Sequence, residues 1–194
     1  MPLWGATDSD ESKPKNLTTA EKKEVFANSS GWVREAGSAL TGNDNTSATP
    51  EVLVAIGGLT TSLGAADITD IEFVTTAFDK SDGGNIDVLV RFNEAVDVTG
   101  TPRVSITNGN QGSGSGRGPH LANYLSGTGS NELTFRCTIG AANAATNAND
   151  VLTIGTNALA LNSGTIKDAG TNTCLLYTSP SPRDTDKSRM PSSA

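Results

Sequence analysis

A chain of 194 residues has room for one domain of ordinary size and a smaller appendage. Only 35% of it is hydrophobic and 5% aromatic, with 21 glycines, which suits a turn-rich β-protein with a thin core. The net charge of -7 argues against a nucleic-acid partner, and no apolar run is long enough for a membrane-spanning helix.

The segment from Met1 to Lys15 has no basic start followed by an apolar stretch. It therefore reads as lacking a signal peptide, which implies use without N-terminal export. Thr18 and Glu21 form a capping-box pattern, which predicts a helix over roughly Thr19 to Ala27, ended by Asn28-Ser29-Ser30-Gly31. Trp4 and Trp32 are the largest apolar groups of this arm. They read as anchors for its own small cluster, with docking to a partner protein as the other use of such side chains. Residues 37–50 are a polar linker by composition, and Glu51 to Ile56 is a short apolar strand candidate before a Gly-rich stretch, 57–66. This divides the chain into an arm over 1–50, a strand and linker over 51–66, and a main domain from 67 to 173 that starts its first strand near Ile71 to Phe78.

The turn that follows, Asp79 to Asn85, is weighed as a calcium site because Asp79, Asp82, Asn85 and Asp87 could supply oxygen ligands. The spacing lacks the alternate acidic positions of an EF-hand loop, and Asp-Gly-Gly-Asn is ordinary turn chemistry, so calcium stays a secondary candidate. Ile86, Val88, Val90 and Phe92 then alternate with Asp87, Leu89 and Arg91, the period of a strand with one face in a core. Thr99 to Pro102 reads as a turn and Arg103 to Ile106 as the next strand. The stretch from Thr107 to Pro119 satisfies no phosphate-cradle or nucleophile-elbow spacing and reads as a flexible loop. Its distinctive side chains, Arg117 and His120, are the binding candidates, because loops at the end of a sandwich carry recognition. His120 is the only histidine, so no His-based metal cluster can form.

Short strands resume over Ala122 to Leu125. Leu133, Phe135, Cys137 and Ile139 give the second clean alternation, and Leu152, Ile154, Leu159 and Leu161 add core. The total of about seven to nine strands predicts an all-β fold, an immunoglobulin-like antiparallel β-sandwich with a short, partly helical N-terminal arm. No catalytic residue, resident metal or cofactor is expected.

The chain changes style at Cys174. Cys174 to Asp184 and Ser188 to Ala194 resemble translated sequencing adaptor, with an index-sized gap between them. Residues 174–194 are accordingly set apart as a non-native, disordered tail that leaves the sandwich truncated. Cys137 then stands alone as a small core residue, without the disulfide that an apparent Cys137–Cys174 pair would suggest.

Three pieces resemble bacterial Ig-like domains that occur in tandem in large surface adhesins. They are Val90 to Ser105, VRFNEAVDVTGTPRVS, then Tyr124 to Phe135, and Leu161 to Gly170, in the family's order and within residues 68–172. The loop at 109–120 is longer than the family usually carries, and the domain appears once. The family is structural and adhesive, which implies no catalytic residues. The beginning, Met1-Pro2-Leu3-Trp4-Gly5 with Ser12 to Lys15 and Gly31-Trp32, is similar to the N-terminus of virion structural proteins of marine tailed phages. Together these resemblances imply a non-enzymatic virion component, assembled in the host cytoplasm. Its partners would be other virion proteins and host surface glycans, and its Ig-like domain would serve surface display or weak adhesion. A fragment of a bacterial cell-surface adhesin is the alternative. An accessory domain of a carbohydrate-active enzyme is a third reading, and the visible chain offers no carboxylate pair in a glycosidase context.

Overall fold

The computed structural model describes residues 13–14, 16–38, 40, 44–108, 119–141, 150–171 and the backbone of 189–193. Within them the chain is mostly β, with one five-residue helix and a 3-10 turn at Leu59–Thr61.

That helix, α1 (Thr19–Lys23), starts at the expected capping box. The Glu21 amide donates to Thr18 Oγ1 at 3.3 Å, and the Thr18 amide donates to Glu21 Oε2 at 2.8 Å. It does not run on to Ala27. Val25 and Ala27 alternate with Phe26 and Asn28 in burial, and Val25–Asn28 forms strand β1 instead. A helix this short has no propagation to set against strand pairing. The expected helix stop at Asn28 to Gly31 is a hairpin turn, in which Asn28 Oδ1 accepts from the Ser30 and Gly31 amides at 2.7 and 3.2 Å. β2 (Gly31–Arg34) pairs antiparallel with β1, and β3 (Glu51–Ala55) pairs antiparallel with β2. Gly31 has φ 134°, and a Cβ there would meet the Val54 carbonyl oxygen at 2.0 Å, so this approach of β3 requires glycine.

Val25, Ala27, Trp32, Leu59 and Leu63 close a core of their own. Leu59 and Leu63 belong to the segment read from its glycines as linker. Leu59–Thr61 is a 3-10 turn, and the burial of both leucines fastens 51–66 to the three strands.

The larger sheet is built on β6 (Gly84–Thr99), which runs sixteen residues. β4 (Ile68–Phe73) lies along one edge of it, and β9 (Ser130–Ile139) along the other. The first strand therefore begins earlier than expected, and Phe78 belongs to a separate two-residue strand, β5 (Phe78–Asp79). β7 (Arg103–Asn108) does not pair with β6. Thr99 to Pro102 is an arch, and β7 pairs with β8 (His120–Ser126), which pairs with β9. The spatial order β6-β9-β8-β7 is a Greek key. β10 (Val151–Ala160) adds to the far edge of β7, with a register shift between Ile154 and Leu159. β11 (Thr165–Asp168) returns to pair with Val96 to Thr99 of β6, continuing the edge that β4 occupies.

One buried cluster takes side chains from all of these strands, including Ile86, Val88, Val90, Phe92, Leu133, Phe135, Cys137 and Ile139 at the expected alternate positions. Cys137 is a free, buried thiol, and burial raises its pKa. Tyr124 meets Phe135 edge to face with ring centroids 6.0 Å apart.

Residues 189–193, inside the tail expected to be disordered, form β12 (Arg189–Ser193), antiparallel to β10 and parallel to β5. Two unpaired strand edges present amides and carbonyls that any extended segment can satisfy. Cys174 and the rest of 172–188 lie outside the described residues.

The register has a direct check. Phe135 is fully buried and Thr134 is on the opposite face, so Phe135→Ala should lower unfolding free energy by about 3–5 kcal/mol in a urea titration. Thr134→Ala should leave it nearly unchanged, and equal losses at the two positions would contradict the register.

Candidate functional site

Not all of the residues singled out in the sequence fall within the described part of the chain. Arg117 and Trp4 lie outside the described residues. His120 is not a loop side chain. It is the first residue of β8, pairs with Ile106 and is buried at 8% exposure. Its neighbourhood is the end of the sheet where β7, β8 and β10 converge. There Asn108 Nδ2 donates to Asp150 Oδ2 at 2.7 Å, with both residues about 1% exposed. Burial lowers the His120 pKa, and the Asp150 charge opposes that shift in part. The sequence signal for this cluster was only that each residue stands at a strand boundary.

Of the four calcium candidates, three have hydrogen-bond partners of their own. Asp79 Oδ1 caps its own turn by accepting from the Ser81 amide at 2.7 Å. Asn85 Oδ1 accepts from Thr138 Oγ1 at 2.7 Å. Asp87 takes Arg136 Nε and Nη2 on its two oxygens, each at 2.7 Å, and this pairing lowers its pKa. Asp82 sits on the turn itself, and no cluster of three His, Cys, Asp or Glu side chains is found among the described residues. Trp32 is fully buried in the small core, so it anchors the N-terminal unit rather than facing a partner.

The densest polar chemistry lies elsewhere, on the seam where the N-terminal unit meets the large sheet. β1 touches β6 by a single parallel bridge, Ala27 to Glu94, and Glu94 is fully buried there. The period-two burial of β6 fails at this point, with Phe92, Asn93 and Glu94 buried in succession. Asn93 adapts by pairing with Asp67: its amide donates to the Asp67 carbonyl at 2.9 Å, and its Oδ1 accepts from the Asp67 amide at 2.7 Å.

Arg91 is the hub. It donates through Nε to Glu132 at 2.8 Å, pairs through Nη1 with Glu72, and lies 3.7 Å from Asp70. Asp70, only 2% exposed, also receives Lys23 of α1 at 2.7 Å. Lys13 donates to the Lys22 carbonyl at 2.7 Å, and burial holds its pKa down at about 8. Asn131 donates to Glu35 at 2.6 Å. Burial and the adjoining Glu132 push the Glu35 carboxyl up to about 7. Apart from Lys13 and Lys22, nine residues apart, partners on this seam lie 19 to 96 residues apart in sequence, so no local motif could have exposed it.

No helix among the described residues is long and apolar enough to cross a membrane. No family model, curated protein or solved structure matches the chain.

Removing the hub should be felt far more than removing an exterior pair. Arg91→Ala strands Glu72, Glu132 and part of the Asp70 charge and should cost about 3 kcal/mol. Arg136→Ala, at a side chain 40% exposed, should cost far less, because water screens the pair with Asp87. Urea titration of the two variants checks the ordering.

Proposed function

We propose that the chain is a non-enzymatic structural component of a phage virion. Its immunoglobulin-like sandwich is displayed on the particle and serves weak adhesion to host glycans, while the N-terminal arm binds other virion proteins.

The observation that carries this reading is where the three adhesin-like sequence pieces fall. Val90 to Ser105 spans the second half of β6, the arch and the start of β7. Tyr124 to Phe135 spans the β8–β9 hairpin, and Leu161 to Gly170 spans the turn into β11 and that strand. They meet around one end of β6. Val98 N donates to Thr128 Oγ1 at 2.9 Å, and Gly129 N donates to the Val96 carbonyl at 2.8 Å. The Thr99 and Thr165 hydroxyls are 2.7 Å apart, and Asn162 Nδ2 donates to the Thr101 carbonyl at 3.0 Å. A Cβ on Gly100 would come within 2.8 Å of Gly164 Cα. Residues that carry the resemblance are thus mutual partners at the joints of the sheet, where a signature serves architecture. The virion assignment draws in addition on the similarity of Met1 to Gly5 and Gly31-Trp32 to phage structural proteins.

The adhesin alternative draws on the same three pieces, which resemble domains found in tandem in large surface adhesins. Sequencing the source DNA past the codon for Thr173 distinguishes the two. Capsid, neck or tail genes beside this frame are the expected outcome, whereas a long run of similar Ig-like repeats would replace the virion reading with the adhesin.

A further inference from the structure

The outer face of β7, β8 and β9 carries a charge opposite in sign to that of the chain as a whole. The chain has 21 Asp and Glu against 14 Lys and Arg. Yet β7, β8 and β10 hold no acidic residue, and β9 holds only Glu132, whose carboxylate is taken by Arg91 at 2.8 Å.

The register sets three donors in one row across that face. Arg103 of β7 stands opposite Asn123 of β8, and Asn123 stands opposite Arg136 of β9. Their neighbours along the strands, Val104, Ala122 and Phe135, are fully buried, so the row points outward. With adjacent strands about 4.8 Å apart, the two arginines are rooted about 10 Å from each other with Asn123 between them. Arg136 shows how a carboxylate sits on this face. Its Nε and Nη2 donate side-on to the two oxygens of Asp87, the next residue along the row, each at 2.7 Å. Among the described residues, the Arg103 guanidinium and the Asn123 side-chain amide have no hydrogen-bond or ion-pair partner.

We propose that this row binds a carboxylate-bearing polysaccharide, a polyuronate strand laid across β7, β8 and β9. One uronate carboxylate takes the Arg103 fork side-on, as Asp87 takes that of Arg136. Asn123 bonds a sugar hydroxyl, and the edge of the Arg136 guanidinium that Asp87 leaves open faces a further carboxylate.

The chemistry of the row selects this class. A guanidinium fork matches a planar carboxylate with two parallel hydrogen bonds, and such charge-assisted bonds are the strong ones. The aromatic residues of these strands, Tyr124 and Phe135, pack against each other, so the face offers charge rather than a ring for a neutral sugar to stack on. Two arginines in a chain of net charge -7 are too few to hold a nucleic-acid backbone. A repeating polymer makes several such contacts at once without a deep pocket, which suits weak adhesion to a flat sheet. This site rests on the glycan adhesion proposed above and gives it a ligand class and a location.

Biolayer interferometry of the full chain over immobilised polygalacturonate, neutral dextran, dextran sulfate and duplex DNA at low ionic strength tests it. Polygalacturonate should be bound in preference to the other three, and added salt should weaken that binding. Arg103→Gln should lower the affinity on the order of 10-fold. Asn123→Asp, which puts a carboxylate into the row at an exposed position, should abolish binding and serves if the first variant fails to fold. Lys167→Gln, on β11 and away from the row, should change nothing. The row is overturned, while glycan adhesion survives, if dextran is bound as well as polygalacturonate or if both row variants bind like the wild type. Equal or tighter binding of dextran sulfate or DNA overturns it as a general affinity for polyanions. Binding to none of the four overturns the row and the glycan adhesion together, and leaves the virion assignment to the neighbouring genes.

Discussion

Strand β6 has to satisfy β9, β4, β11 and β1 with one backbone, and a regular sixteen-residue strand cannot do so. The interruption at Phe92, Asn93 and Glu94 resolves the conflict. The ladder with β9 stops at Arg91 and resumes at Val96, and in the gap β6 trades one edge neighbour, β4, for another, β11. Irregularities of this kind re-aim a strand at the point where a sheet turns a corner. Here the same break brings polar side chains inward. Asn93 finds both of its partners on the Asp67 backbone, and Glu94 occupies the only bridge to β1. The Greek key and the attachment of the N-terminal unit therefore depend on one local defect.

That attachment is polar to an unusual degree. Two separate apolar cores flank it, one around Trp32 and one around Phe92 and Phe135, and between them lie Asp70, Glu72, Arg91 and Glu132 with Lys13, Lys23 and Glu35. Ions withdrawn from water recover their hydration only through well-placed partners, so such a seam adds little net stability. It does add orientation, since each ion pair is satisfied in one arrangement of the two units. A larger apolar joint would hold more firmly and discriminate less.

The strands of the large sheet were legible because their alternation is uninterrupted. Ile86 to Phe92 and Leu133 to Ile139 announce their inner faces residue by residue, and the glycine and asparagine turns between them have few alternatives. The N-terminal unit was not. Its strands are four or five residues long, too short for a period to stand out, and the capping box at Thr18 correctly marks a helix start without limiting its length. Leu59 and Leu63 are buried by strands that precede them, a fact of tertiary packing that the flanking glycines disguise. His120 was misplaced for a similar reason. A Gly/Ser run on its N-terminal side dominates the composition, while its pairing with Ile106 is invisible in one dimension. The polar seam was out of reach, because charges assigned one by one to solvent faces become partners only once β4, β6 and β9 are adjacent.

The seat of β12 says something about how selective this sheet is. Its occupant includes Pro191, which has no amide to donate opposite Val151. A position that closes over such a segment reads backbone geometry and little else. Neighbouring molecules offer the same backbone, so strand exchange between copies competes with closure within one. At high concentration this module would then behave as a template for concentration-dependent, heterogeneous association, with the rate set by how often residues 189–193 leave their place.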